Sequence, residues 1–161
     1  MICLEQYKKL IDKKVNIFRY AYNRLTNTVL NMHITLFKML KTKNKLRKTL
    51  LKNKLQKKYN CIFALNCKID KTVVFPHPLG IVIGNKVEVK SNCMIYQNVT
   101  IGAKNESYPI IECGTVIYAN AVVLGDVTIG ENSIVGAGAV VLKSCDNSSI
   151  LVGVPAKNIK N

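Results

Sequence analysis

From residue 61 onward, Ile, Val or Phe recurs at every sixth position. The series is Phe63, Ile69, Phe75, Ile83, Val89, Ile95, Ile101, Ile111, Ile117, Val123, Ile129, Val135 and Val141. It has two interruptions, of two residues before Ile83 and of four residues before Ile111. A period of six matches neither the 3.6-residue repeat of a helix nor the two-residue alternation of a long strand. The pattern therefore indicates a repeat fold.

A second column of small or β-branched residues lies four positions after the first. Its members are Cys67, Val73, Val87, Cys93, Val99, Thr115, Ala121, Val127, Ser133 and Ala139. Six residues suit one short strand and one turn, and three such units make a triangular coil whose strands pair with the coils above and below. We predict a mainly β fold, a parallel β-helix of about four coils over 61–161. Thirteen regular matches disfavour a β-sandwich, and a terminal helix or a neighbouring chain must cover the open end.

The first sixty residues have a different pattern. Apolar residues lie three and four positions apart, and neither glycine nor proline occurs in 2–58. This spacing predicts amphipathic helices over 7–25 and 35–59. His33 lies in this helical stretch, where we expect a packing or surface role. The predicted organisation is a basic helical segment, 1–60, followed by a β-helix domain, 61–161.

Charge separates the same two segments. The 161-residue chain is long enough for about one domain and carries a formal net charge of +15, and 16 of its 24 Lys and Arg residues lie in 1–60 beside only Glu5 and Asp12. A solvated helix face is the simplest explanation. The excess also favours contact with an anionic membrane surface or an acidic glycan. No motif supports nucleic-acid binding.

The six cysteines form no C-x-x-C pair and no cluster with histidine. This spacing predicts small buried thiols, without a disulfide framework or a metal site. The chain begins with no signal-peptide pattern and has no apolar run of about 20 residues. We expect a cytoplasmic, reduced protein, peripheral at the inner membrane face if its basic segment binds lipid.

One of the two histidines, His77, lies between prolines at the first interruption of the repeat, in FPHPLGIVIG. Proline restricts its own backbone and that of the preceding residue, which gives His77 a nearly fixed direction on a bulged coil. A neutral imidazole can accept a proton near neutral pH. His77 is therefore a candidate general base.

Four motifs carry a family resemblance: HPLGIVIG (77–84), QNVTIG (97–102), IYANAVVLGDVTIGENSIVGAGAVV (117–141) and VGVPAKNIK (152–160). Together they resemble the hexapeptide-repeat acyltransferases, especially the serine acetyltransferase branch with its short relatives in capsule and surface-glycan gene sets. The resemblance implies a left-handed β-helix, a homotrimer, and acetyl-CoA bound in the groove between two subunits. It further implies direct acetyl transfer with His77 as the catalytic base.

The resemblance also assigns binding residues. Those for the acceptor are Tyr108, Gln97 and Asn98, and those for acetyl-CoA are Gly102, Ala119, Ala137, Lys143 and Lys157. Small residues allow the pantetheine arm to approach the backbone, and lysines complement phosphates.

The chain departs from serine acetyltransferases where they carry polar acceptor-site groups. Ile62 and Pro76 replace two aspartates, Tyr108 replaces a histidine, and the chain ends at Asn161 without their longer tail. We therefore expect an O-acetyltransferase acting on a sugar hydroxyl of a surface glycan or its precursor. The alternatives are a serine O-acetyltransferase of cysteine biosynthesis and a non-catalytic scaffold that binds a polyanion.

Overall fold

A computed structural model describes residues 27–160, which form two helices followed by fourteen short strands. The helices are α1 (Thr28–Lys41) and α2 (Lys45–Tyr59). The strands are β1 (Ile62–Phe63), β2 (Lys68–Ile69), β3 (Val82–Ile83), β4 (Glu88–Val89), β5 (Met94–Ile95), β6 (Thr100–Gly102), β7 (Ile110–Ile111), β8 (Val116–Ile117), β9 (Val122–Leu124), β10 (Thr128–Ile129), β11 (Ile134–Val135), β12 (Val140–Val141), β13 (Ile150–Val152) and β14 (Lys157–Asn158).

The strands form the three faces of a triangular coil. The first sheet has the order β1-β3-β6-β9-β12, the second β2-β4-β7-β10, and the third β5-β8-β11-β13-β14. Every pairing is parallel except that of β14, which runs antiparallel to β13 and closes the third sheet. From β3 to β12, successive strands belong to successive sheets in a regular cycle of three, which confirms the predicted parallel β-helix of about four coils.

Both sequence columns point into the prism. The thirteen members of the six-residue series are buried, apart from half-buried Ile69, and so are all ten members of the second column. The two polar members of the second column are satisfied by the backbone, since Thr115 Oγ1 donates to the carbonyl of Gly130 (3.1 Å) and Ser133 Oγ to that of Asp146 (3.2 Å). Burial without a bonding partner would cost each hydroxyl about 1–3 kcal/mol.

The two helices pack on the N-terminal coil. Met32, Leu36, Met39 and Leu55 belong to the same buried cluster as Phe63. This arrangement matches the expectation that a helix covers an open end of the coil. No helix within 27–160 has the length and apolar character needed to cross a bilayer.

The helix prediction was wrong in one detail. The stretch 35–59 is two helices, because the chain breaks at 42–44 and restarts where the Asn44 side chain accepts a hydrogen bond from the Arg47 N–H (2.9 Å). The predicted helix over 7–25 lies outside the described residues. The chain changes from helix to strand after Tyr59, near the predicted boundary at residue 60. Because the helices and the first coil share one buried core, the division into two domains stays a prediction.

The described cysteines are free thiols. Cys61, Cys67 and Cys93 are buried, whereas Cys113 and Cys145 are half-buried. Burial raises the pKa of the Cys67 and Cys93 thiols to about 11 each, which keeps them protonated at neutral pH. Their position in the second column explains them as small core residues.

Candidate active site

His77 lies in an exposed bend held at both ends by buried residues. Phe75 and Ile81 are both fully buried in the prism, while His77 itself is exposed. The bend leaves the third sheet after the bridge of Val74 with Met94 and enters the first sheet at β3. The two extra residues of the repeat therefore form an outward bulge at the corner between these sheets.

Asn98 supports the bulge from the next coil. Its backbone N–H donates to the carbonyl of Leu79 (2.8 Å), while its side-chain Oδ1 packs on Gly80. Gly80 has φ +66°, and a Cβ there would lie 2.2 Å from Asn98 Oδ1, so only glycine fits. The Asn98 Nδ2 group donates to Asn120 Oδ1 (3.1 Å). Asn98, assigned above to the acceptor, thus holds the histidine bend in this chain.

Four of the assigned residues line the same corner as His77 on successive coils. We call this corner the His77 edge; it contains Gln97, Asn98, Ala119 and Ala137. The corner turns are hydrogen-bonded to each other, with Asn120 N–H donating to Gln97 O (3.1 Å) and Gly138 N–H to Ala119 O (2.9 Å). The small side chains at Ala119 and Ala137 leave the backbone of this edge open to a long, narrow ligand.

Two tyrosines that the sequence analysis missed continue the line from His77. The His77 and Tyr96 rings lie 5.9 Å apart between centroids, and Tyr96 stacks on Tyr118 at 5.2 Å with an interplanar angle of 19°. Each tyrosine directly follows a member of the six-residue series, Ile95 or Ile117. This common position in the repeat is the sequence feature that could have predicted that the two rings lie next to each other. The ring of His77 makes no hydrogen bond or ion pair with another residue of 27–160.

Gln97 carries an unsatisfied buried acceptor at this edge. Its Oε1 atom is inaccessible to solvent and has no hydrogen-bond partner in the described part of the chain. Buried polar atoms in folded proteins are nearly always paired. The assignment of Gln97 to acceptor binding stays a prediction.

Tyr108 and two of the acetyl-CoA residues lie at a different corner, between the first and second sheets. Gly102 ends β6, Tyr108 lies in the loop that follows it, and Lys143 comes two residues after β12. The Tyr108 ring contacts Lys86 Nζ at 5.0 Å from its centroid. The width of the first sheet separates these residues from His77 of the same chain.

The last assigned residue, Lys157, lies in β14, paired with Val152 of the third sheet. The neighbouring Ala156 N–H donates to Val140 O (2.8 Å), which joins this closing turn to β12 at the C-terminal end of the His77 edge. The lysine side chain is exposed there. One described chain thus places His77, Gln97, Asn98, Ala119, Ala137 and Lys157 along one corner.

Two positions that the resemblance matches to aspartates of serine acetyltransferases hold no carboxylate in this chain. Ile62 lies in β1, opposite Val82 of the strand that follows the histidine bend. Pro76 directly precedes His77. Neither position supplies a carboxylate to the imidazole.

The one group within 27–160 with metal-ligand chemistry lies elsewhere. Potential ligand atoms of Glu112, Cys113 and Glu131 lie within 4.8 Å of one another. These residues follow β7 and β10 on the second sheet, away from the His77 edge. Ser91 Oγ already donates to Cys113 Sγ (3.3 Å). The group has no geometric connection with the candidate base.

Comparison with known proteins agrees with this arrangement. The family model for the bacterial transferase hexapeptide (six repeats) matches residues 108–143. A serine acetyltransferase of Bacillus licheniformis is 36% identical over 94 residues, which cover 56% of this chain and 44% of that protein. This chain is therefore similar to serine acetyltransferases and carries bacterial transferase hexapeptide repeats over 108–143. It spans less than half the length of this relative.

Solved structures extend the likeness to the fold. The serine acetyltransferase of Neisseria gonorrhoeae in complex with serine superimposes with a TM-score of 0.71 at 29% identity, over 82% of this chain and 55% of that one. A serine acetyltransferase in complex with CoA gives a TM-score of 0.66 at 27% identity, over 80% and 52% of the two chains. These likenesses support acetyl transfer, and they favour the serine alternative over the sugar acceptor that the sequence analysis preferred.

Proposed function

We propose that this chain is an acetyl-CoA-dependent O-acetyltransferase in which His77 is the general base. The observation that carries the proposal is the exposed imidazole on a braced bend, at the head of a corner lined by small residues. Such a base needs a fixed direction and access to the acceptor hydroxyl. The serine acetyltransferase likeness supports the same chemistry.

The proposed reaction is a direct transfer in a ternary complex. The neutral imidazole of His77 accepts the hydroxyl proton as the acceptor oxygen attacks the thioester carbonyl carbon. The tetrahedral intermediate then collapses, its C–S bond breaks, and the departing CoA sulfur takes the proton from the imidazolium. Neither an acetyl-enzyme nor a metal is part of this route. Proton transfer of this kind contributes about 10²- to 10⁴-fold in rate.

Acetyl-CoA is proposed to lie along the His77 edge. Ala119 and Ala137 present backbone and small side chains to the pantetheine arm, while Lys157 is exposed at the far end for the phosphates. Gly102 and Lys143, at the other corner, are proposed to face the same ligand from a neighbouring copy of the chain.

A homotrimer would bring the two corners together. Tyr108 and Lys143 are separated from His77 of their own chain by a whole sheet, so they reach a common site only if a second copy supplies one corner. The mass of the full chain in sedimentation equilibrium tests this. Three chains per particle is the expected value, and a monomer at concentrations that support activity would contradict a shared site.

Two acceptor classes remain, each with its own support. L-serine is favoured by the relatives, one of which was solved with serine. A sugar hydroxyl is favoured by this chain's own residues, because Ile62 and Pro76 provide no carboxylate for an amino-acid acceptor and the stacked Tyr96 and Tyr118 rings offer a flat surface beside the base.

An assay with labelled acetyl-CoA separates these classes. Initial rates of label incorporation are measured for the full chain with L-serine and with a panel of capsule and surface-glycan oligosaccharides, and kcat/KM is compared. A higher kcat/KM for L-serine supports serine O-acetylation, and a higher value for a glycan supports the sugar reading. Failure of every acceptor together with failure to bind CoA would contradict acetyl transfer and favour the polyanion-binding scaffold.

We further propose that α2 associates with an anionic membrane surface, at the cytoplasmic face of the inner membrane. The helix carries seven Lys and Arg residues and no acid over Lys45–Tyr59. Leu46 and Leu50 are 71% and 60% exposed; Arg47 lies three residues before Leu50, and Lys54 and Lys57 lie four and seven residues after it, at helical spacing. Seven cations without an acid on one helix suit the surface of an acidic bilayer.

Charge reversal on α2 tests membrane binding. We expect Lys54→Glu with Lys57→Glu to weaken sedimentation with phosphatidylserine-containing vesicles at low salt by roughly 30-fold or more, since each basic residue near the surface contributes about 1 kcal/mol. The matched control is Lys71→Glu with Lys160→Glu, the same charge change on the β-helix. Equal binding by both double variants, or equal wild-type binding to phosphatidylcholine vesicles, would contradict the proposal.

A further inference from the structure

Helix α1 holds the chain two residues before the candidate base through a buried histidine. His33 is only 5% exposed, and its Nε2 atom accepts a hydrogen bond from the backbone N–H of Phe75 (3.2 Å). Its Nδ1 atom lies 2.8 Å from the carbonyl oxygen of Val29, one turn earlier in α1. A proton on Nδ1, donated to Val29, leaves Nε2 as the acceptor for Phe75, and the backbone of Val73 also hydrogen-bonds to the ring.

Ring packing reinforces this hydrogen bond. The His33 ring lies 5.5 Å from the Phe75 ring, which in turn meets Phe63 edge-on at 5.5 Å. Burial lowers the pKa of His33, which keeps the ring neutral and Nε2 available as an acceptor. The backbone at Phe75 is thus fixed from both the helix and the first coil.

The distance along the chain from this anchor to His77 is very short. Only Pro76 separates Phe75 from His77, and its ring fixes φ near −65°. On the other side of the bend, Asn98 N–H donates to Leu79 O (2.8 Å). The bend is therefore tied on both sides, by α1 before the base and by the next coil after it.

We propose that His33 is a positioning residue for the reaction, which sets the direction of the His77 imidazole through its hydrogen bond to Phe75. This inference rests on the proposed function, because it takes His77 as the base. It gives α1 a role beyond covering the first coil. The helix supplies an acceptor to a backbone donor that would otherwise be buried without a partner next to the base, a condition that folded proteins avoid.

Three variants test the hydrogen bond separately from packing. His33→Leu keeps a similar volume and removes the acceptor, whereas His33→Gln can restore an acceptor at a similar distance from the helix. Thr35→Val is the matched control, because Thr35 is also buried in α1 but its hydroxyl donates to Asn31 O within the same helix (2.8 Å). Each variant of the full chain is measured for kcat, for the KM of acetyl-CoA, and for hydrogen exchange at the Phe75 amide.

We expect His33→Leu to lower kcat by roughly 10- to 100-fold with little change in the KM of acetyl-CoA, because a base displaced by about 1 Å loses that much rate. The Phe75 amide should lose its protection in the same variant. His33→Gln should recover most of the rate and protection, and Thr35→Val should match the wild type. If His33→Leu does not fold, His33→Asn, whose side chain is too short to reach Phe75, takes its place.

Wild-type kcat with full Phe75 protection in His33→Leu or its substitute would overturn the inference. So would an equal loss of kcat in Thr35→Val, which would indicate a general effect of α1 packing. Absence of transfer by the wild type would refute the proposed function instead, and exchange at Phe75 would still decide whether His33 holds this backbone.

Discussion

His77→Ala is expected to lower kcat for acetyl transfer by about 10²- to 10⁴-fold, the usual contribution of a general base. The acceptor hydroxyl would then have to lose its proton to water as it attacks the thioester. The KM of acetyl-CoA should change little, since the proposed contacts of the donor lie on other residues along the His77 edge. Steady-state kinetics with the preferred acceptor measures both constants.

The control for this variant is its stability. His77 is exposed and its ring makes no hydrogen bond within 27–160, so removing it should change the free energy of unfolding by no more than about 0.5 kcal/mol. A kcat within threefold of the wild type, in a variant of normal stability, would exclude His77 as the base. Loss of CoA binding in calorimetry would point to a binding role instead.

Gly130→Ala is expected to lower the free energy of unfolding by about 3 kcal/mol or more. A Cβ at this position would lie 2.4 Å from the carbonyl carbon of Asp146 and 2.5 Å from the backbone nitrogen of Asn147. Backbone atoms of the next coil cannot move aside as a flexible side chain can. The substitution must therefore push two stacked coils apart.

A second glycine provides the matched control. At Gly102, an added Cβ would meet only Leu124 Cδ2, at an ordinary 3.5 Å. Gly102→Ala should therefore change the free energy of unfolding by less than about 1 kcal/mol. Denaturant unfolding of both variants measures the difference. Similar destabilisation at the two positions would contradict the close approach of the Asp146–Asn147 backbone to Gly130.

The core of this fold could be predicted from sequence because the repeat is local. A member of the six-residue series, such as Ile95 or Ile117, occupies the same place in every coil, so its burial follows from its position in the period. The insertion before Ile83 likewise predicted a bulge, because extra residues cannot enter a stacked coil without leaving the prism. Period and interruption together located His77.

Contacts that join distant parts of the chain could not be predicted in this way. The hydrogen bond from Phe75 to His33 spans 42 residues and depends on how α1 packs on the first coil. The break between α1 and α2 was missed because Thr42, Lys43 and Asn44 do not interrupt an apolar pattern as glycine or proline would. Residues that point out of the prism, such as Tyr96, are not part of the buried six-residue series, so the period did not single them out.

How the candidate site is assembled could not be predicted from the repeat alone, for a related reason. A repeat places residues on a corner, but it does not say which corners of two copies meet. Tyr108 and Lys143 were therefore assigned to the same site as His77, whereas one chain holds them a sheet apart. Only the family resemblance placed these three residues in one site. The sequence of a single chain does not indicate which of its surfaces contacts a neighbouring subunit.

The central claim is that the chain moves an acetyl group from acetyl-CoA to a hydroxyl through His77. Its most direct test is a single-turnover time course with the full chain in excess over labelled acetyl-CoA, for the wild type and His77→Ala, in the presence of L-serine or the glycan panel. With the wild type the label should leave CoA and appear as an ester of one acceptor, while with His77→Ala it should remain on CoA. Label that stays on CoA with the wild type and every acceptor, or that moves equally fast in both proteins, would contradict the claim.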